Sequence, residues 1–282
     1  MNKNIKILPY KLGSESATML AAYFECLKIK PDGLYRFKPE HSIINWGFNG
    51  ELSKDINIPS GAILNPINSV RKVSNKLIAF EVITRAGVPS VEYSNDILVA
   101  RAWIRDGFRV YCRTLLNSSE GKGIVIAEQE SELVQCQLYT KYSKNTGEFR
   151  VHVCGKRFFI QEKRRMSQET MSENNINPDL RSKLIRNHDS GWAFCSDNLN
   201  LPEGITDDLK SVALRAIRSF SLHFGACDIL YNRFYESFVL LEVNSAPGLT
   251  YGGNTHRFYC EGISELLKIP FNEDHFNSLI DS

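Results

Sequence analysis

The chain has 282 residues, 43% of them hydrophobic and 23% charged, and a formal net charge of +2. That is room for one large α/β unit or two to three smaller subdomains, and the near-balanced charge argues against a dedicated nucleic-acid binder, local basic patches aside. No segment approaches the roughly 20 apolar residues that span a bilayer, the N-terminus lacks a signal-peptide run, and the seven cysteines include no C-x-x-C pair, which reads as a cytoplasmic protein with reduced thiols.

In chain order, residues 5–8 read as a strand, followed by a turn at Gly13-Ser14 and an amphipathic helix over 16–28. Ser14 or Ser16 is placed to cap that helix; amides facing a ligand are the alternative. Residues 42–46 read as a second strand and 62–64 as a weak third. A helix is expected over 75–86, stopped by Gly87 and Pro89. Residues 108–113 and 124–128 alternate like two strands joined by a glycine-containing loop, and 149–154 with 157–161 like a pair turning at Gly155-Lys156. The Asn-rich stretch 172–178 reads as a surface loop. The clearest helix is 206–224, with Thr206 as its cap, Asp207 and Asp208 at its positive end and Gly225 after its last turn. Strands over 226–231 and 238–244 follow, separated by a turn at 232–237.

Those last two strands carry the most chemistry. Glu242 and Asn244 are two apart, so they share a face while Val243 takes the other. In a hairpin centred near Tyr235, Asp228 falls roughly opposite Glu242. Facing carboxylates repel unless a cation sits between them. An all-oxygen set with few protein ligands suits Mg²⁺ that completes its shell with water and phosphate oxygens; a solvated strand face is the alternative. In the loop 117–123, Gly121 and Gly123 bracket Lys122. Glycine lets backbone amides approach phosphate closely, and such a loop can close as a lid; a plain tight turn is the alternative. His152 lies on the polar face of its strand or in the core. No Ser-His-Asp, Cys-His or zinc-type cluster has a supporting context.

The segment CDILYNRFYESFVLLEVNSAPGL resembles the metal-binding end of ATP-grasp enzymes, and the chain is similar to the RimK-type ligases that add glutamate to ribosomal protein. The resemblance implies Asp228, Glu242 and Asn244 as ligands of two Mg²⁺ ions, with Mn²⁺ a substitute, and Pro247-Gly248 where the chain leaves the sheet. In RTLLNSSEGKGIVIAE, Arg113 takes the place of the family's phosphate-binding lysine, and Gly121, Lys122 and Gly123 that of its phosphate loop. Arginine keeps the charge and adds a bidentate fork. SNKLIAFEVITRAGVPS puts Lys76 in a second lysine position. In LYTKYSKNTGEFRVHVCGKRFFIQEKRR, Lys141 and Tyr142 fall beside the adenine, Lys141 where the family usually has glutamate, and Glu148 at the ribose hydroxyls. Arg150, Arg164 and Arg165 match positive charge around the phosphates and the acid substrate. In LIRNHDSGWAF, Asn187 and Gly191 match the family's spacing, with Arg186 displaced beside them; His188 lies near the proposed site.

The implied fold is α/β built of α+β subdomains: an ATP-grasp fold holding nucleotide between two α+β subdomains, preceded by a small α/β subdomain. The implied boundaries are 1–69, 70–140 (the lid subdomain) and 141–282 (metal and substrate). The implied activity is ATP- and Mg²⁺-dependent carboxylate–amine ligation through an acylphosphate. Its substrates are small-molecule or peptide carboxylates and amines, and the acceptor is an amino acid, a peptide or a modified macromolecule. No membrane partner is expected, and homo-oligomerisation stays open. An ATP-grasp nucleotide-binding module without ligase activity, or a kinase of that fold, is the alternative.

Overall fold

Three sheets succeed one another along the chain, and the computed structural model describes residues 4–280 apart from 34, 55, 119–120, 177–184, 200 and 202–203. The first sheet is parallel, with β1 (Ile5–Pro9), β2 (Leu27–Lys28), β3 (Ser42–Trp46) and β4 (Ile63–Leu64) in the order 2-1-3-4. Parallel strands are covered on both faces, so they read as continuous apolar runs; Ile7, Leu8, Ile43 and Ile44 are all fully buried. Helix α1 (Glu15–Tyr23) is capped by Ser14, whose Oγ accepts from the Ala17 N–H at 3.3 Å. The helix expected over 16–28 is therefore too long. Its chain leaves at Phe24, Glu25 takes a φ of 47°, and residues 27–28 pair with β1, tertiary pairing overriding local periodicity. Ser16 instead accepts from the Leu249 N–H at 3.0 Å.

Helices α2 (Ile67–Ser74) and α3 (Lys76–Arg85) follow, α3 starting at its Asn75 cap and ending before Gly87 at φ 65°. The second sheet is antiparallel: β5 (Tyr93–Ser94), β6 (Val110–Arg113), β7 (Ile124–Ala127) and β8 (Leu138–Lys141), in the order 5-8-6-7. Helix α4 (Ile97–Arg105) packs on it, Ala100 and Trp103 meeting Val110, Cys112, Ala127 and Tyr139. α2, α4 and β8 have no counterpart among the elements expected from the sequence.

The third sheet is also antiparallel: β9 (Gly147–Cys154), β10 (Arg157–Arg165), β11 (Trp192–Cys195), β12 (Phe224–Asn232) and β13 (Ser237–Asn244), in the order 11-10-9-12-13. Helix α5 (Gln168–Glu173) closes on Ser172 and Glu173, so the predicted loop over 172–178 begins as helix; positions 177–178 lie outside the described residues. Helix α6 (Ile205–Ser219) covers one face of the sheet, with Leu209, Ala213 and Ala216 in the same core as Phe149, Val151, Cys227 and Val243. Val70, Val73, Ala79 and Ile83 join that core, so α2 and α3 pack on the third sheet although they precede the second. On the opposite face, α7 (Asn254–Leu266) covers one end, helped by α8 (Glu273–Ile280), and the other end opens into a cleft.

The helix expected over 206–224 is corrected at both ends. It starts at Ile205 after Gly204 (φ 84°), leaving Thr206 inside the first turn with Asp207 and Asp208, and it stops at Ser219. Gly225 lies within β12. A Cβ there would fall 2.8 Å from the Asn244 carbonyl oxygen and 2.8 Å from Ile217 Cδ1, so glycine is required by close approach from two sides. Gly225→Ala is expected to cost about 1–3 kcal/mol by overpacking, read as a lower thermal midpoint. An unchanged midpoint would show that the sheet yields there.

Candidate active site

Strand β13 contains one residue more than a regular hairpin needs. Register runs from Asn232 opposite Ser237 to Ile229 opposite Leu240, then jumps to Asp228 opposite Glu242. Leu241 is the extra residue of a β-bulge, and a one-residue shift flips every later side chain to the other face. Val239 before it and Leu241 itself pack towards Phe80 and Leu138, while Leu240 enters the core. Beyond it, Val243 enters the core and Glu242 and Asn244 face the cleft beside Asp228. Without the bulge, Leu241 would stand opposite Asp228.

The cleft has a volume of about 1050 Å³ and lies between the second and third sheets, with Tyr10, Ser16, Gly47 and Asn49, from the segments around the first sheet, in its wall. It gathers every expected site residue except Gly123, Arg164 and Arg165. Among its described lining residues are four lysines and three arginines against three carboxylates, an excess of cations that suits a polyanionic ligand.

Each carboxylate has a protein cation. Arg150 holds Asp228 with two hydrogen bonds, Nε to Oδ1 at 2.7 Å and Nη2 to Oδ2 at 2.8 Å. Burial opposes the charge on Asp228, and Arg150, with Lys163 behind it, more than offsets that, so the carboxyl sits below its ordinary range. Lys76, the first residue of α3, places Nζ 3.3 Å from Glu242 Oε1 and also donates to the Ser118 carbonyl, tying the loop after β6 to the end of β13. Glu148 accepts from Lys163 Nζ at 2.6 Å and lies 3.6 Å from Arg186 Nη1. Burial still leaves its pKa raised against those two cations.

The remaining expected residues take distinct places. Arg113 points into the cleft with Nε 3.4 Å from Thr140 Oγ1; burial lowers its pKa, with Glu242 opposing. Lys141 turns its ammonium to Glu92 at 2.8 Å and over the Phe108 ring at 3.8 Å. Gly121 (φ 75°) and Gly123 (φ 72°) both take left-handed conformations. A Cβ on Gly121 would strike Ile185 Cγ2 at 2.6 Å and one on Gly123 would strike Leu115 Cγ at 2.7 Å, so the loop needs both glycines. Ser119 and Glu120 of the same loop lie outside the described residues. Asn187 accepts from the Ser190 N–H at 2.9 Å and lines the cleft with His188.

Of the basic run 163–165, Lys163 lines the cleft and the expected Arg164 and Arg165 do not. Strand parity sends Gln161 and Lys163 into the cleft. Arg164 points to the other face, paired with Glu162 and the Asp197 carbonyl, and Arg165 is exposed at the strand end. Counting by two from Gln161 puts Lys163 and Arg165 on one face, and of the two only Lys163 lies along the cleft. Phe194 was also missed; its ring lies 4.0 Å from the Arg150 guanidinium and 4.7 Å from Lys163 Nζ. His152 proves to be a core residue, with Nδ1 3.1 Å from the Tyr259 hydroxyl and Nε2 2.9 Å from Gln161 Oε1.

Among the described residues, no group of three His, Cys, Asp or Glu side chains forms a cage for a metal ion. Asp228, Glu242 and Asn244 instead offer two carboxylates and an amide, all oxygen, on one wall of an open cleft. That donor set fits a hard divalent ion taking its other ligands from phosphate and water.

No protein-family model matches the sequence, and no curated protein matches it. Solved structures do. The chain is similar to a D-alanine–D-alanine ligase from Bacillus anthracis complexed with ATP, at 13% identity and a TM-score of 0.64, covering 100% of this chain and 96% of that one. It is similar to the macrocyclase MdnC from Microcystis aeruginosa, bound with the precursor peptide MdnA, at 15% identity and a TM-score of 0.58, covering 94% and 99%. A RimK domain ATP-grasp protein from Sphaerobacter thermophilus follows at 13% and 0.55, covering 86% and 92%. At these identities the likeness establishes the fold: the chain has the ATP-grasp fold, an α+β architecture, along its length.

Proposed function

We propose that this protein is an ATP- and Mg²⁺-dependent carboxylate–amine ligase. The observation that carries the reading is the convergence of Asp228, Glu242 and Asn244 on one wall of a cation-rich cleft between two antiparallel sheets. Lys76, Arg113 and the loop 121–123 would hold the triphosphate, the chain around Tyr142 the adenine, and Glu148 the ribose. Asp228, Glu242 and Asn244 would hold two Mg²⁺ ions, which supply Lewis acidity at the phosphate oxygens.

A carboxylate approaching the γ-phosphate brings negative charges together, so positioning and charge neutralisation provide most of the acceleration. The carboxylate oxygen attacks the γ-phosphorus and ADP leaves; the amine then attacks the acyl carbon and phosphate leaves. Closure of the loop over the cleft would keep water from the acylphosphate. No step needs a covalent nucleophile from the chain. The acid and amine are small molecules or peptides, and seven thiols, none in a disulfide, suit a reducing cytoplasm.

The test is a screen of amino acids and peptides for stimulated ADP release, with mass spectrometry of the products. An amide product establishes the ligase. ADP with only a phosphorylated acid would make it a kinase. A nucleotide-binding module without turnover is the second reading, favoured by the protein cation already present at each carboxylate; ATP binding with no ADP release for any acid would support it.

A further inference from the structure

Arg150 stands opposite Asp228 in the β9–β12 ladder and occupies both of its carboxylate oxygens. Those are the atoms a divalent ion would use. The pair is well built: the Asp228 side chain is 8% exposed, the Arg150 side chain 20%, and the Phe194 ring lies against the guanidinium at 4.0 Å. Lys76 makes only a single 3.3 Å contact to Glu242, whose side chain is 39% exposed, so the two acids are guarded unequally. Both arginine and aspartate nevertheless face the cleft, so the guanidinium can reach a cleft-bound ligand without crossing the core.

We infer that Arg150 is a resident counter-ion at Asp228 that a divalent metal displaces, and that the freed guanidinium passes to the phosphates of the nucleotide. The inference rests on reading the cleft as a site for Mg²⁺ and ATP. Its physical basis is the fate of the displaced charge. Metal entering alone would leave a guanidinium, mostly buried, without a partner and beside a dication, and both terms are unfavourable. A triphosphate offers that planar guanidinium two phosphate oxygens as a bidentate acceptor in exchange. Metal and nucleotide therefore enter together, and by linkage each tightens the other by the same factor. Arg150 is on this view a positioning residue for the metal: it keeps Asp228 ionised and aimed while the site is empty, and blocks the metal until phosphate arrives.

The experiment is Mn²⁺ binding followed by electron paramagnetic resonance at pH 8, with and without a non-hydrolysable ATP analogue. Wild-type protein is expected to bind Mn²⁺ weakly alone and much more tightly with the analogue. Arg150→Met should bind Mn²⁺ at least tenfold more tightly without nucleotide, and the gain from adding the analogue should shrink by at least the same factor. Adding Asp228→Asn should abolish the nucleotide-free gain. Arg150→Lys, which keeps charge and loses the fork, should fall between wild type and Met, and it carries the test alone if circular dichroism shows Arg150→Met unfolded. Nucleotide-free Mn²⁺ affinity that is unchanged or weaker in a folded variant overturns the counter-ion role. Wild-type protein that binds no Mn²⁺ even with the analogue overturns the Mg²⁺ and ATP reading itself.

Discussion

Asp228→Asn is expected to damage both fold and activity, whereas Glu242→Gln is expected to damage activity alone. The two acids face each other across one ladder but differ in burial. Asp228 is 6% exposed and satisfies Arg150 through both oxygens. Neutralising it leaves a mostly buried guanidinium without its charge partner, a loss of about 3–5 kcal/mol. Glu242 is half-buried with one 3.3 Å contact to Lys76, and a partly exposed pair of that kind contributes about 0–1 kcal/mol. For catalysis the two are equivalent, since each removes one anionic oxygen donor from the proposed metal wall. Loss of one such preorganised electrostatic contact lowers turnover by about 100-fold or more. Thermal midpoint and ADP release, measured on both variants, check this. Equal midpoints would show that Arg150 finds another partner, and retained turnover in Glu242→Gln would remove Glu242 from the metal site.

The second large effect is acid sensitivity set by His152. Its ring is fully buried between β9 and α7, edged by Phe159, Phe258 and Tyr259 and bonded to Tyr259 and Gln161. Burial lowers its pKa from 6.5 to about 4; Gln161 and Asp228 oppose the shift and Arg150 adds to it. The unfolded chain therefore takes up a proton near pH 6.5 that the folded protein refuses until about 4. Stability from this group is complete above pH 6.5 and is lost as pH falls through that window, in all about 3 kcal/mol. Asp228, whose pKa is lowered, loses its contribution only at more acid pH, below its ordinary 3.8. Glu148, whose pKa is raised, acts in the opposite sense and offsets part of the loss. Denaturant unfolding between pH 7.5 and pH 4.5 should show the decline, and His152→Gln should flatten it. An unchanged slope in that variant would assign the sensitivity to another group.

Alternation, turn residues and caps are properties of neighbours in the chain, so they were legible from sequence. The β12–β13 hairpin, the pair turning at Gly155, the helix starting at Asn75, and the shared face of Glu242 and Asn244 all follow from them. The wider grouping of acids and bases in the cleft was implied instead by the resemblance to ATP-grasp enzymes. Helix ends were less legible where another element competed for the residues. Residues 27–28 joined β1 and residues 224–225 joined β12, because strand pairing outweighs helical periodicity there. Which face of β13 meets the cleft was decided by the bulge at Leu241, an insertion visible only in the register between two strands. The choice of Lys163 over Arg165 depended on where β10 runs relative to the cleft. The pairing of Asp228 with Arg150, 78 residues apart, and of Glu242 with Lys76, 166 apart, depended on the assembled sheet and helices. Charge and strand parity are written locally, but the partner a buried charge meets is set by which elements lie against it, and only the tertiary structure brings those together.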